Sequence, residues 1–361
     1  MAGHVPAIVH FEDRSMKVAD FDFDLPPELI AVRPASPRES ARLLRVRESG
    51  MADLTIADLP GELRAGDLLV LNDTKVIPAR LEGTIGEAHV ELNLIRAVDS
   101  RTWECLARPG RRFRPGVTVV FGDLTARVLV KDPEGTITLE FDRAGPDLMA
   151  ALDVVGTMPL PPYIARKRAP DAQDRTDYQT AFAAREGAVA APTASLHLTP
   201  ELLARLGAMG VERAMVTLHV GAGTFLPVKV EDTADHKMHA EWGEVGAAAA
   251  EAINRARAEG RRVVAVGTTA LRLIESAARD RDRVEPFADW TDIFITPGFR
   301  FRAADLLLTN FHLPKSTLVM LVSAFAGFDR VKAAYGHAID KGYRFYSYGD
   351  ACLFDRVEPK A

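Results

Sequence analysis

Residues 214–225 read AMVTLHVGAGTF, an apolar strand that runs directly into a loop broken by glycine. Met215, Val216, Leu218 and Val220 form the apolar run, and Gly221 and Gly223 then remove the side chains that would keep the backbone extended. Without a Cβ the main chain can come close to a small polar ligand, and amides at the carboxyl end of a strand are free to bind one. His219 stands just before this opening and Thr224 closes it. A lone Gly-x-Gly is also how an ordinary strand ends in a turn. This one gains weight because the same strand-then-polar-loop pattern returns downstream.

From Thr199 onward the pattern alternates helix and strand, which points to a parallel sheet covered by helices. Thr199 suits a helix cap, Pro200 the first helical position and Gly210 the stop, and a second helix is expected from about Glu244 to Gly260. Strands are expected at 214–220, 262–266, 292–295, 306–308 and 343–347, followed by GAGT, GTT, TPG, TNFH and YGD. In a parallel sheet these loops share one edge and form a cleft there.

Upstream, residues 67–141 change texture to short β-like runs: DLLVLN, ARLEGTI, HVELNLIR, TWECLA, VTVVF, ARVLV and TITLEF. Their spacing, about 8 to 12 residues per strand and turn, is that of a small barrel or sandwich. The expected fold is therefore α/β, a mostly parallel sheet with helices on its faces, interrupted by an inserted small all-β barrel. Residues 1–74 with 153–361 are expected to form the discontinuous α/β domain and 75–152 the barrel.

The 361 residues, 47% hydrophobic and 26% charged, suffice for two packed domains. No apolar run reaches membrane-spanning length, and the first twenty residues mix acids and bases where a signal peptide needs an apolar core. Cys105 and Cys352 lack ligand spacing and fit a reducing compartment, so a cytoplasmic protein is expected. The net charge of -5 gives no general pull on nucleic acid, which would have to bind a local basic patch.

Four groups of residues carry chemistry. Gly267, Thr268 and Thr269 lie between the strand RVVAV and the amphipathic run ALRLIESA, where hydroxyls and free helix amides can hold a ligand, or where a threonine simply caps. In LLLTNFHLPKST, Asn310 and His312 sit between two apolar runs, able to bond a purine or a carboxylate, while Ser316 suits a helix cap. His236, His239 and Glu241 offer three metal ligands, but without the spacing of a zinc helix, and no metal is expected. Arg108, Arg111, Arg112 and Arg114 form a basic turn around Phe113, with Lys75 and Arg80 nearby and Arg166, Lys167 and Arg168 able to extend it. Phosphates bind arginine and unstacked bases stack on rings, so this turn is an RNA-contact candidate as well as an ordinary solvated turn.

Taken together, LNDTKVIPARL, ECLARPGRRFRPG, MPLPPYI, AAPTASLHLTPELL, VTLHVGAGTF, RRVVAVGTTALRLIES, TDIFITPGFRF, LLLTNFHLPKSTLVMLVSAFAG and YRFYSYGDACLF resemble the S-adenosylmethionine:tRNA ribosyltransferase-isomerases of queuosine biosynthesis, from about Phe21 to Phe354. Two departures stand out: residues 194–198 read ASLHL where the family commonly has AGLHF, and Leu226 replaces a common arginine. The resemblance implies an α/β domain interrupted by a β-barrel. It also implies transfer of the ribosyl part of S-adenosylmethionine to the aminomethyl group of a 7-deazaguanine in the tRNA wobble position, giving epoxyqueuosine-tRNA, adenine and methionine. S-adenosylmethionine is consumed, so no further cofactor is expected.

That chemistry needs a base near the acidic 5′ methylene beside the sulfonium and an acid to help adenine leave. His219, His312, Asp350 and Glu241 are the catalytic candidates, with acid and base unassigned among them. Gly221, Gly223, Thr224, Gly267, Thr268, Thr269 and Asn310 are expected to hold S-adenosylmethionine. Lys75, Arg80, Arg108, Arg111, Arg112 and Arg114 are expected to hold tRNA, and a monomer is the expected unit. The rival readings are a metal hydrolase on His236, His239 and Glu241, and a non-catalytic RNA-binding protein.

Overall fold

The computed structural model describes residues 16–133, 135–221, 228, 230–279 and 282–357. Gly223 and Thr224 lie outside the described residues. The strands in chain order are Arg42–Arg47 (β1), Gly50–Thr55 (β2), Leu68–Asn72 (β3), Thr74–Val76 (β4), Arg80–Ile85 (β5), Ala88–Ala97 (β6), Thr102–Arg108 (β7), Thr118–Phe121 (β8), Leu124–Lys131 (β9) and Ile137–Phe141 (β10). After them come Gly156–Thr157 (β11), Arg185–Ala188 (β12), Glu212–Leu218 (β13), Glu241–Val245 (β14), Val263–Val266 (β15), Phe287–Thr291 (β16), Leu306–Asn310 (β17) and Ala351–Asp355 (β18).

Nine of these form one sheet in the order β16-β14-β13-β3-β15-β17-β18-β1-β2. Its centre is parallel, β13 with β3, β3 with β15 and β15 with β17. The strands β3, β15 and β17 are buried at every position, as strands covered on both faces must be. Val70, Ala265 and Leu307 pack into the layer that holds the helices Ala247–Ala258, Thr268–Ala277 and Thr317–Ala326. Leu71, Val264 and Leu308 pack toward the helix Pro200–Ala208.

The expectation of a mostly parallel sheet is corrected: the sheet is mixed. β14 and β16 join antiparallel at one side, β18 runs antiparallel to β17, and β1 and β2 form an antiparallel hairpin. Parallel neighbours need a crossover long enough to return the chain to the same edge, and the hairpin β1–β2 has none. Two strand positions also move. Residues 292–295 lie just beyond β16, and 343–347 form no strand of the sheet but lead into β18.

Two helix starts follow the sequence signals, whereas the helix expected from about Glu244 begins at Ala247, Glu244 belonging to β14. The Thr199 hydroxyl accepts the Leu202 amide at 3.1 Å and Ser316 accepts that of Val319 at 3.3 Å.

Of the seven β-like runs between 67 and 141, DLLVLN belongs to the central sheet as β3, and the other six close the barrel β5-β6-β7-β10-β9-β8, with Thr84 of β5 paired to Val120 of β8. All its pairings are antiparallel and β11 adds to β5. Trp103, Cys105, Phe121 and Leu139 fill the interior. The barrel meets the sheet where the Arg96 guanidinium lies 5.1 Å over the ring of Trp290 on β16. Among the described residues no helix is long and apolar enough to cross a membrane, and Cys105 and Cys352 are buried and free.

Candidate active site

Strand ends gather at one edge as expected, although TPG at 296–298 and Gly221 do not line the cleft they form. One cleft is lined by Val220 beyond β13, by Gly267, Thr268 and Thr269 beyond β15, and by Thr309, Asn310 and His312 at the end of β17. Residues 190–194 and Tyr346 with Ser347 form its other walls. Its cavity volume is about 60 Å³. The last segment arrives by a route different from the expected one. β18 is antiparallel to β17, with Ala351 opposite Asn310, so the residues before β18 reach the same edge as the carboxyl end of β17.

Gly267 has φ +90°, which L side chains rarely adopt, and its amide donates to the Leu308 carbonyl at 2.8 Å. This turn delivers Thr268 and Thr269 as the first residues of a helix whose leading amides have no helical partner. His312 is buried, its Nε2 2.9 Å from the Thr309 hydroxyl, and burial pushes its imidazole down to about 3.

His219 does not line this cleft; it stands beside it. Its Nδ1 is 2.8 Å from the Thr74 hydroxyl, whose own proton reaches toward the Arg185 carbonyl at 3.4 Å. The hydroxyl holds the Nδ1 side of the ring. The ring stacks on Trp242 with centroids 5.4 Å apart. Burial first, and then repulsion from Arg185, push the imidazole down to about 4, so it is neutral at physiological pH. Gly187 closes over it: a Cβ there would come to 2.9 Å of the imidazole. The chain from Gly187 to the 190–194 wall joins the histidine to the cleft.

The two carboxylates are otherwise engaged. Glu241 accepts the Gly221 amide at 3.0 Å on one oxygen and a buried Arg272 guanidinium on the other, so it anchors the start of the glycine loop. Asp350 accepts the amides of Arg42 and Arg344 at 3.1 and 2.8 Å and pairs with both guanidinium groups. Neither lines the cleft. The rival metal set fares no better: Glu241 is taken by Arg272, the His236 ring packs edge-on to Phe294, and among the described residues no three metal-ligating side chains cluster.

On the barrel, Arg108, Arg111, Arg112 and Arg114 are exposed and have no carboxylate partner among the described residues. Phe113 is corrected as a base-stacking ring: it is fully buried in the barrel core. Lys75 pairs with Glu186 at 2.8 Å, Arg80 with Glu91 at 3.2 Å, and Arg168 with the buried Asp174, so these cations are partly neutralised.

Sequence reasoning gave no role to Asn72, Thr74 or Trp242. The Asn72 side chain accepts the Leu218 amide and donates to the Leu218 carbonyl, both at 3.0 Å, pinning β13 as its parallel ladder with β3 runs out. The signal was present: NDT follows a wholly apolar strand, just as TNFH does.

A strand-end cleft with a neutral buried imidazole in its wall and a second beside it, and with helix amides free of helical partners, joined to a barrel bearing unpaired arginines, defines an α/β enzyme with a β-barrel. The chain belongs to the queuosine biosynthesis protein family, whose profile matches residues 18–354. It is 62% identical over 344 residues to an S-adenosylmethionine:tRNA ribosyltransferase-isomerase of Rhodospirillum rubrum, covering 95% of this chain and 99% of that one. It is 59% identical over 354 residues to the protein of the same name from Azorhizobium caulinodans, covering 94% and 100%. Among solved structures, an S-adenosylmethionine tRNA ribosyltransferase from Thermotoga maritima matches with 36% identity and a TM-score of 0.54, covering 92% of this chain and 99% of that one.

Proposed function

We propose that this protein transfers and isomerises the ribosyl moiety of S-adenosylmethionine onto the aminomethyl group of 7-aminomethyl-7-deazaguanine in the tRNA wobble position. The products are epoxyqueuosine-tRNA, adenine and methionine. What carries the reading is the gathering of Gly267, Thr268, Thr269, Asn310 and His312 around one cleft, in a chain matched over 94–95% of its length by S-adenosylmethionine:tRNA ribosyltransferase-isomerases.

In this reading His219 is the base. Its Nε2 lone pair takes the proton from the 5′ methylene that the sulfonium has acidified, while Thr74 and Trp242 hold the ring. The free amides at Thr268 and Thr269 bind the nucleoside. Glu241 and Arg272 act as positioning residues for the segment that begins at Gly221, and Gly223 and Thr224 belong to that segment. The barrel, residues 75–152, holds the tRNA through Arg108, Arg111, Arg112 and Arg114, with Lys75 and Arg80 contributing once their carboxylate partners are exchanged for phosphate. The protein works as a monomer in the cytoplasm.

The test mixes the protein with S-adenosylmethionine and tRNA carrying the aminomethyl deazaguanine. Adenine and methionine released in equal amounts support the reading. Retention of tRNA in a gel with no adenine formed would replace it with a non-catalytic RNA-binding protein.

A further inference from the structure

The central sheet has helices over both faces only in its middle. One face carries Ala247–Ala258 and Thr268–Ala277, with Val216 of β13 and Val245 of β14 turned into their layer. The other is covered over β3, β15 and β17 by Pro200–Ala208, and at the β14–β16 side that cover runs out. Residues directly opposite in an antiparallel pair share a face, so Trp242 of β14 and its partner Trp290 of β16 stand together there. Met215 of β13 is 37% exposed and Trp290 42%. Tryptophan is highly buried on average, so a ring left this far in solvent calls for a reason.

The rings form a row. His219 stacks on Trp242, and Trp242 is the cross-strand neighbour of Trp290. The barrel's Arg96 guanidinium lies 5.1 Å over Trp290, and Arg185 pairs with Glu244 at 2.9 Å, two residues along β14 from Trp242. Strands stand about 4.8 Å apart, so two spacings, about 10 Å, separate the line of β13 that ends at His219 from Trp290. The row leads from the imidazole to the barrel, and none of its members lines the cleft.

We infer that this open face is a stacking platform for single-stranded RNA: Trp290 takes an unpaired base that neighbours the one presented at His219, while Arg96 and Arg185 meet the flanking phosphates. The surface is distinct from the arginine turn of the barrel, and the inference rests on the proposed reading for the identity of the RNA. Every base has a π-face, so an exposed aromatic ring binds unpaired bases of any sequence, and an arginine beside the ring adds to the stack. Glu104 and Glu244 hold the two guanidinium groups, and phosphate takes the place of a carboxylate on each. Met215 and Trp290 alone are too little exposed apolar surface for a protein partner, whose interface covers about 800 Å² on each side.

The whole protein is titrated with tRNA carrying the aminomethyl deazaguanine while tryptophan fluorescence is read. The chain has three tryptophans and Trp103 is buried in the barrel, so the difference between wild type and W290F isolates Trp290. That signal should be quenched by tRNA and not by a fully paired RNA duplex. W290A should weaken tRNA binding about 10-fold with the slope of log affinity against log salt unchanged, because a ring carries no charge, whereas W290F keeps a ring and should lose no more than about 3-fold. Affinity for S-adenosylmethionine in a calorimeter should hold in both. The fluorescence difference needs only W290F, so the result does not hang on W290A folding. An unquenched Trp290, or a W290A that binds tRNA as tightly as wild type, would overturn the platform. A wild-type dimer that W290A splits in sedimentation would give the face to a second copy instead. If adenine and methionine form while Trp290 stays unquenched, the function survives and the platform falls. If Trp290 is quenched and no adenine forms, the platform stands and the proposed reaction falls.

Discussion

The cleft and the arginine turn of the barrel handle charge in opposite ways. In the cleft region the carboxylates Glu241 and Asp350 are buried against arginines, and burial keeps His197, His219 and His312 neutral. At the turn, four arginines stand in solvent without a carboxylate partner among the described residues. Neutral buried groups recognise a ligand by direction at short range, whereas exposed cations act at a distance and are screened by salt. In the proposed reading the two substrates are bound by different physics, so perturbing one region should leave the other's behaviour intact.

The sharpest break comes at His219. H219A should lower the turnover number about 10²- to 10⁴-fold, the usual worth of a positioned base, while the affinity for S-adenosylmethionine in a calorimeter stays within a few-fold. With the imidazole at about 4, the acid limb of kcat/KM should lie near pH 4 and not near the ordinary histidine value, because the base is lost only where the ring protonates. An unchanged turnover for H219A would remove the histidine from the chemistry.

Next in size is the buried pair that holds the Gly221 amide. E241A leaves the Arg272 guanidinium buried and uncompensated, which costs about 3–5 kcal/mol. Urea unfolding would register this as a lower midpoint with an unchanged slope. G187A tests geometry more gently. A Cβ at 2.9–3.0 Å from three imidazole atoms, on a backbone at φ +142°, must displace the ring. A misplacement of about 1 Å can cost about 10²-fold in turnover, with tRNA affinity unaffected.

How far these regions were legible in the sequence follows from how each residue earns its place. Gly267–Thr269 and Asn310–His312 could be found because a buried parallel strand is a continuous apolar run, so the first polar residues after it mark its carboxyl end. The same signal in DLLVLN was outweighed by the β-rich texture that follows, although five wholly buried residues in β3 contrast with the alternating burial of β5. The strand expected at 343–347 proved to be a bridge at Phe345, while the five residues of β18 carry the ladder. Both stretches are rich in apolar and aromatic residues, and composition alone does not rank them. The contact of His219 with Thr74 spans more than a hundred residues and that with Gly187 depends on the chain's approach, so no local pattern announces either. Phe113 misled because its neighbours are cationic, yet the turn folds the ring back over the barrel interior.

The smallest expected effect is the one that separates the two regions most cleanly. Trp103 pairs with Ala97 at the barrel end near the sheet, whereas Arg108 pairs with Glu91 at the far end of β7, about 17 Å away at roughly 3.4 Å per residue. In the proposed reading the turn meets the flanking RNA backbone and not the base presented to His219. Contacts of that kind carry affinity without sequence preference, each contributing about 0.7 to the slope of log affinity against log salt for single strands. Replacing Arg111 and Arg112 by alanine should flatten that slope by about 1.4 in gel or anisotropy titrations. Turnover at saturating tRNA should hold. A slope that does not change would move the RNA contact elsewhere on the surface, and a fall in saturated turnover would mean that the barrel takes part in the chemistry of the cleft.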